Sequence, residues 1–375
     1  MTYLDHNATT PMTTAAKRAV FDAMMLEGNA TSPHAHGREA SRVVGDARQA
    51  VALAFGVCAA DIIFTASGTE ADNQAVSSAV AGGCRRLLVS SMDHPATVNA
   101  ALHSSAEVEF IPASRGGVID MDWLADRLGR WDASDGRPFV SIVAANSECG
   151  VVQPVDRAYE LTREADGLLL VDAVQIPGKI DLPILADYIT WSAHKLGGPK
   201  GVGALYAAPS APLHSLIRGG GQERRKRAGT LNVPGIAGFG AAAAQARPFA
   251  DTIKIARDTL EQKLAAVDPD VVFLCQDAPR LPNTSLFGVP DVASQTLMMG
   301  LDLAGVSVAT GTACSSGNVE VSRAVQAMGY GDTLSAGVIR VSFGATSKMA
   351  DVDSFLSAWA KVRKLSPNPS KEMAA

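Results

Sequence analysis

Two strand-like runs end in residues that could share one cofactor. The apolar run Leu168-Leu169-Leu170-Val171 delivers Asp172 at its carboxyl end, and Tyr188-Ile189-Thr190-Trp191 leads into Ser192-Ala193-His194-Lys195. Open α/β sheets bind ligands at the carboxyl ends of their strands, so a carboxylate and a primary amine are expected on one rim. The amine can form a Schiff base with an aldehyde, and the carboxylate can pair with a ring nitrogen. Those are the two groups that pyridoxal phosphate requires. Gln175, three residues after Asp172, adds an amide that could reach the phenolic oxygen of the ring, although Asp-x-x-Gln alone is more often the start of a helix.

Further candidates follow other strands. After Ile62–Thr65 comes Ala66-Ser67-Gly68-Thr69-Glu70, in which Ser67 and Glu70 have capping-box spacing and Gly68 lets backbone amides approach an anion. Alone this reads as a well-capped helix; beside Lys195 it reads as a phosphate cup. Ser192 and His194 flank Lys195 and could donate further hydrogen bonds to the phosphate. His94, after the strand Leu87–Ser90, places a flat imidazole where it could stack on the ring and relay protons. Cys314 lies in Ala309-Thr310-Gly311-Thr312-Ala313-Cys314-Ser315-Ser316-Gly317, a run of small residues before a helix expected to begin near Val319. A thiol there can move between a pocket and an acceptor. Cys58, Cys84, Cys149 and Cys275 read as structural, and five scattered cysteines disfavour a disulfide framework or a zinc cluster.

The elements that must position these groups alternate. Strands are expected at Ile62–Thr65, Arg86–Ser90, Val108–Ile111, Phe139–Val143, Leu168–Val171 and Tyr188–Trp191, separated mostly by helical patterns. The class is therefore α/β with a doubly wound, mostly parallel sheet. An Ala-rich helix begins near Pro234, and a boundary near Asp251 introduces a smaller α+β domain with strands at Val271–Leu274, Ser285–Phe287, Val306–Ala309 and Val338–Ser342. The division expected is 12–250 for the large domain, 1–11 with 251–365 for the small one carrying the Cys314 loop, and a frayed tail over 366–375. With 375 residues, 47% hydrophobic, the chain can bury a large core. Its net charge of −5 lacks the basic surplus of a nucleic-acid binder. No run approaches the roughly 20 apolar residues of a membrane span, and a cytoplasmic protein is expected.

Five stretches in order, Tyr3-Leu4-Asp5-His6-Asn7-Ala8-Thr9-Thr10-Pro11, Ser67-Gly68-Thr69-Glu70-Ala71-Asp72-Asn73, Asp172-Ala173-Val174-Gln175, Ser192-Ala193-His194-Lys195 and Gly219-Gly220-Gly221-Gln222-Glu223, resemble cysteine desulfurases of the NifS and IscS kind. These belong to the class V aminotransferase group, and the resemblance runs to about Met349. It implies the fold-type I architecture, a homodimer, pyridoxal 5'-phosphate, and conversion of L-cysteine to L-alanine with a persulfide left on a cysteine. Residue by residue, it implies Lys195 as the Schiff-base lysine, His94 stacked on the ring, Asp172 on its nitrogen, and Gln175 near its phenolic oxygen. Gly68, Thr69, Ser192 and His194 would hold the phosphate, and Thr230 would reach the phosphate of the neighbouring subunit. Arg340 and Asn29 would meet the substrate carboxylate, and Cys314 would take the sulfur for an iron–sulfur scaffold protein. No resident metal is expected; Cys314 would touch a nascent cluster only through its persulfide.

Four positions depart from the family pattern. His6 replaces a small polar residue, Ser147 stands where an asparagine amide contacts the ring oxygen, Ala30 replaces a proline, and Ala228 replaces a serine. The segment 311–317 resembles nitrogen-fixation-type desulfurases, which points to nitrogenase cluster assembly; general cluster assembly and tRNA thiolation stay open. A selenocysteine lyase or another class V enzyme would need no persulfide on Cys314, and a non-catalytic assembly scaffold would need no cofactor.

Overall fold

The computed structural model describes residues 1–311, 314–315, 318–319, 322–335 and 337–365. Its strands are β1 (Thr2–Tyr3), β2 (Ile62–Thr65), β3 (Arg86–Ser90), β4 (Glu107–Ile111), β5 (Phe139–Val143), β6 (Leu168–Asp172), β7 (Tyr188–Ser192) and β8 (Gly203–Ala207). They continue as β9 (Val272–Leu274), β10 (Thr284–Gly288), β11 (Val306–Ser307), β12 (Ala309–Thr310), β13 (Cys314–Ser315), β14 (Asn318–Val319) and β15 (Val338–Ser342).

The larger sheet runs β2-β8-β7-β6-β5-β3-β4, parallel except that β8 is antiparallel to both its neighbours. Successive residues of its central strands enter opposite cores. Leu168 and Leu170 pack on one face, Leu169 and Val171 on the other, and Leu87 and Leu88 divide the same way. A sheet covered on both faces explains why β5 and β6 are mostly apolar and have every residue buried. The helices that cover it are locally encoded. Val155–Glu164 buries Val155, Ala158, Leu161 and Thr162 on one stripe, and Val233–Gln245 starts at Asn232, whose side chain accepts from the Gly235 amide at 3.0 Å.

The second sheet runs β12-β15-β10-β9, all antiparallel. One face shares the large core through Leu286 and Val338. The other packs Phe287, Ile339 and Val341 against Leu260 of the helix Asp251–Val267 and Phe355 and Trp359 of the helix Met349–Leu365. The amino terminus joins this unit: β1 pairs with β11, and Asp5 bridges to Ser342.

Several expectations change. β8 was not foreseen, because Gly203, Ala204 and Ala207 have weak strand preference; two flanking strands hold it in place. The run expected at Val306–Ala309 divides between two sheets, Val306–Ser307 pairing with β1 and Ala309–Thr310 with β15. The helix expected near Val319 begins at Arg323, because Asn318 and Val319 pair with Ser315 and Cys314 and the Ser322 hydroxyl caps the helix on the Val325 amide. Cys58 is exposed, not buried; Cys84, Cys149 and Cys275 are buried. The tail 366–375 lies outside the described residues.

Candidate active site

The carboxyl ends of β6 and β7 deliver Asp172 and, one turn later, Lys195 to the wall of a cavity of about 320 Å³. The Lys195 amine donates to the main-chain carbonyl of Asn7 at 2.6 Å. Burial, with Arg340 adding to it, brings its pKa down to about 8 against the opposing pull of Asp172 and Asp5. Asp172 is buried, accepts from the Val174 amide at 2.9 Å, and has its pKa raised by that burial, with His94 opposing. A protonated ring nitrogen beside this carboxyl would favour its charged form.

Beside them opens a helix N-terminus. The Ser67 hydroxyl accepts from the Glu70 amide at 3.1 Å, and Glu70 reaches back to the Ala66 amide at 2.8 Å while Arg227 holds its other side. The first amides of the helix Gly68–Ala81 are thus presented to the cavity, where Gly68, Thr69, Ser192 and His194 all line the wall. Two glycines permit the close fit. A Cβ on Gly68 would meet Val174 Cγ2 at 3.1 Å, and one on Gly203 of β8 would stand 2.5 Å from the Ser67 carbonyl carbon. His194 is held neutral to about pH 4 by burial and by Lys195.

His94 faces the cavity and caps its helix by accepting from the Ala96 amide at 3.1 Å. The surrounding walls desolvate it and lower its pKa, with Asp172 opposing and Lys195 assisting. Its neighbour Asp93 anchors the turn, accepting from Ser141 Oγ at 2.7 Å and the Val143 amide at 2.5 Å on β5. Burial pushes Asp93 up to about 7 and raises Asp72, which accepts from Thr190 Oγ1 at 2.6 Å. Neither carboxyl was singled out in the sequence, since both sit inside motifs explained by their neighbours.

Asn7 is a junction that the sequence also concealed. Its side-chain amide donates to Thr284 Oγ1 at 2.8 Å and the Ser147 carbonyl at 3.1 Å, and accepts from Asn283 at 3.1 Å. Its carbonyl accepts from Lys195 and, at 2.9 Å, from Gln175 Nε2. Partners so distant in sequence leave no local pattern. Ser147 lines the cavity with Gln175.

Three expected residues stand apart from the cavity wall, and the fourth, Cys314, is described only in part. Arg340 does not line the cavity: Nη2 pairs with Asp5 at 2.5 Å, Nη1 donates to the Ser147 carbonyl at 3.0 Å, and Nε is buried without a partner among the described residues. Asn29 is exposed and accepts from the Thr31 amide and hydroxyl at 3.0 and 2.9 Å. Thr230 is exposed and away from the cavity. Cys314 is described only by its backbone, paired with Val319; the described residues on either side of its segment, Gly311 and Ser322, both line the cavity.

An amine, a carboxylate and an anion-binding helix end on separate walls of one cavity fit an aldehyde, a ring nitrogen and a phosphate. The fold and these groups define an α/β enzyme of the aldehyde-cofactor class. The chain matches the Aminotransferase class-V model over residues 2–355 and belongs to that family, whose cofactor is pyridoxal 5'-phosphate. It is 37% identical to a cysteine desulfurase of Cereibacter sphaeroides over 99% of both chains. A cysteine desulfurase of Gluconacetobacter diazotrophicus is 36% identical over 97% of this chain and 95% of that one. The solved structure of a NifS-like protein from Rickettsia africae aligns with a TM-score of 0.89 at 31% identity, covering 97% of this chain and 99% of that chain.

Proposed function

We propose that this chain is a cysteine desulfurase, converting L-cysteine to L-alanine and taking the sulfur onto Cys314 as a persulfide. The observation that carries this reading is the Lys195 amine, with a pKa near 8, facing the same cavity as Asp172 and a helix N-terminus. The full-length relatives named cysteine desulfurase support the substrate.

When bound, pyridoxal phosphate supplies a protonated ring that withdraws electrons from the substrate's α-carbon. Asp172 would keep the ring nitrogen protonated, and Gln175, with Ser147, would hold the phenolic oxygen. Gly68, Thr69, Ser192 and His194 would hold the phosphate. Lys195 would anchor the cofactor, and its amine is the base for the substrate's α-proton; an amine near pKa 8 suits that task at physiological pH. Arg340 grips the substrate carboxylate by exchanging it for Asp5, with Asn29 close to the same carboxylate. His94, its pKa lowered by desolvation, exchanges protons near the substrate's sulfur. The Cys314 thiolate then attacks that sulfur: the S–S bond forms, the C–S bond breaks, and its electron pair stays on the carbon that is protonated to the methyl of alanine.

Finer features complete the proposal. The protein acts as a homodimer in which Thr230 serves the neighbouring subunit's phosphate, supported by the exposure of Thr230 and of the apolar Phe21, Met24 and Met25. Residues 12–250 form the large domain, and 1–11 with 251–365 the small one, supported by the pairing of β1 with β11. It works in the cytoplasm; no helix among the described residues is long and apolar enough to cross a membrane. The persulfide serves an iron–sulfur scaffold protein, and the likeness of segment 311–317 to nitrogen-fixation-type enzymes favours nitrogenase clusters. The test is alanine formation from L-cysteine by wild type and Cys314→Ala. Loss of alanine in the variant is expected; undiminished alanine would favour a lyase that needs no persulfide.

A further inference from the structure

We propose that Lys179 is a positioning residue that fixes which end of the Gln175 carboxamide meets the cofactor, holding Oε1 away from the ring so that Nε2 donates to its phenolic oxygen. This rests on the reading of Gln175 as the contact to that oxygen. Lys179 is only 2% exposed, and a lysine so buried is costly unless its hydrogens are used. Both side-chain hydrogen bonds found for it among the described residues go to Gln175, one to the main-chain carbonyl at 3.2 Å and one to Oε1.

The orientation follows from donor and acceptor chemistry. On the other side of the amide stands the Asn7 carbonyl, which can only accept, 2.9 Å from Nε2. Lys179 has N–H groups enough for both Gln175 oxygens whether or not it is protonated. An amide between an obligate acceptor and a donor occupied in this way has one favourable orientation. Nε2 then spends one N–H on Asn7 and keeps the second for the cavity that Gln175 lines. The reversed amide would turn lone pairs toward an oxygen that needs a donor. The Asn7 carbonyl also accepts from Lys195, so the same clamp aligns the amide with the amine that carries the cofactor.

The charged groups around this clamp are Lys195 and Arg340, which with burial lower the pKa of Lys179, and His6 and His194, which feel its charge; Asp172 and Asp5 act on Lys195. A through-space effect of Lys179 on the cofactor must therefore be separated from one routed through Gln175. The measurement is the pH midpoint of the visible absorption band of the cofactor-loaded protein, in wild type, Lys179→Met, Gln175→Met and the double variant. Losing a donor to the ring's oxyanion makes the adjacent proton harder to remove, so each single variant is expected to raise the midpoint by about one unit, the scale of one charge-assisted hydrogen bond. The double variant is expected to match Gln175→Met alone, and Lys179→Arg to restore the wild-type midpoint. Should Lys179→Met fail to fold, Lys179→Leu, which likewise has no donor, takes its place in the same cycle. A shifted Gln175→Met with an unshifted Lys179 variant, or shifts that add in full, overturns this proposal alone. An unshifted Gln175→Met overturns it together with the reading of Gln175.

Discussion

The rim of the seven-stranded sheet and the edge of the four-stranded sheet meet the same cavity in opposite ways. On the rim, Asp172 ends a fully buried strand, His94 is tied down through Asp93 to β5, and Lys195 is held on Asn7. On the other side, Arg340 is engaged by Asp5 and Ser147, and Gly311 and Ser322 line the cavity. The rim groups read as serving the cofactor are already assembled, whereas Arg340, read as serving the substrate, has to exchange a partner. Precise placement pays for itself where one ring stays bound; a substrate that enters and a sulfur that leaves require groups that can let go.

The comparison breaks most visibly at Lys195. Lys195→Ala removes anchor and base together, and is expected to lower alanine formation by about 10⁴-fold, the upper end for a positioned acid–base group, without unfolding the chain. An intact melting transition with lost turnover checks it; activity within tenfold of wild type would place the base elsewhere.

Arg340 sharpens the contrast, because it has to be free to change partners. Arg340→Lys keeps the charge but not the planar fork, so kcat/KM is expected to fall by about 10- to 100-fold, mainly through KM. A fall confined to kcat would mean that Arg340 positions Ser147 and Asp5 and does not grip substrate.

The smallest effect concerns His6, whose ring packs on Gly344 and hydrogen-bonds Thr10 at 2.7 Å. Burial and Lys179 hold its pKa near 4, against 6.5 for the free side chain. Between those values the unfolded chain binds the proton and the native chain does not, so His6 makes stability rise with pH across the window from about 4 to 6.5 and costs stability below it. His6→Asn is expected to flatten that rise, read as the difference between the two proteins' unfolding curves. Equal slopes would show that the ring is protonated in place.

Much of the site was legible because its groups follow strands whose apolar runs announce themselves: Leu168–Val171 before Asp172, Tyr188–Trp191 before Lys195, Ile62–Thr65 before Gly68. What stayed hidden depends on contacts between distant parts of the chain. Asn7 reaches Thr284, Arg340 reaches Asp5, and β8 is a strand only because β2 and β7 pair with it. Lys179 was hidden for another reason: it looks like an ordinary residue after a glycine, and only burial beside Gln175 gives it a task. The helix start was misplaced at Val319 because small residues give no strand signal; the pairing of Cys314 with Val319 moved it to Arg323.

The central claim is that the Lys195 amine and the Cys314 thiol act on one substrate. Brief incubation of the cofactor-loaded protein with L-cysteine, followed by alkylation and peptide mass spectrometry, tests it most directly. One additional sulfur atom on the Cys314 peptide, absent in Lys195→Ala, is the result expected. Alanine formed while Cys314 stays unmodified, or the extra sulfur found on the exposed Cys58 instead, would contradict it.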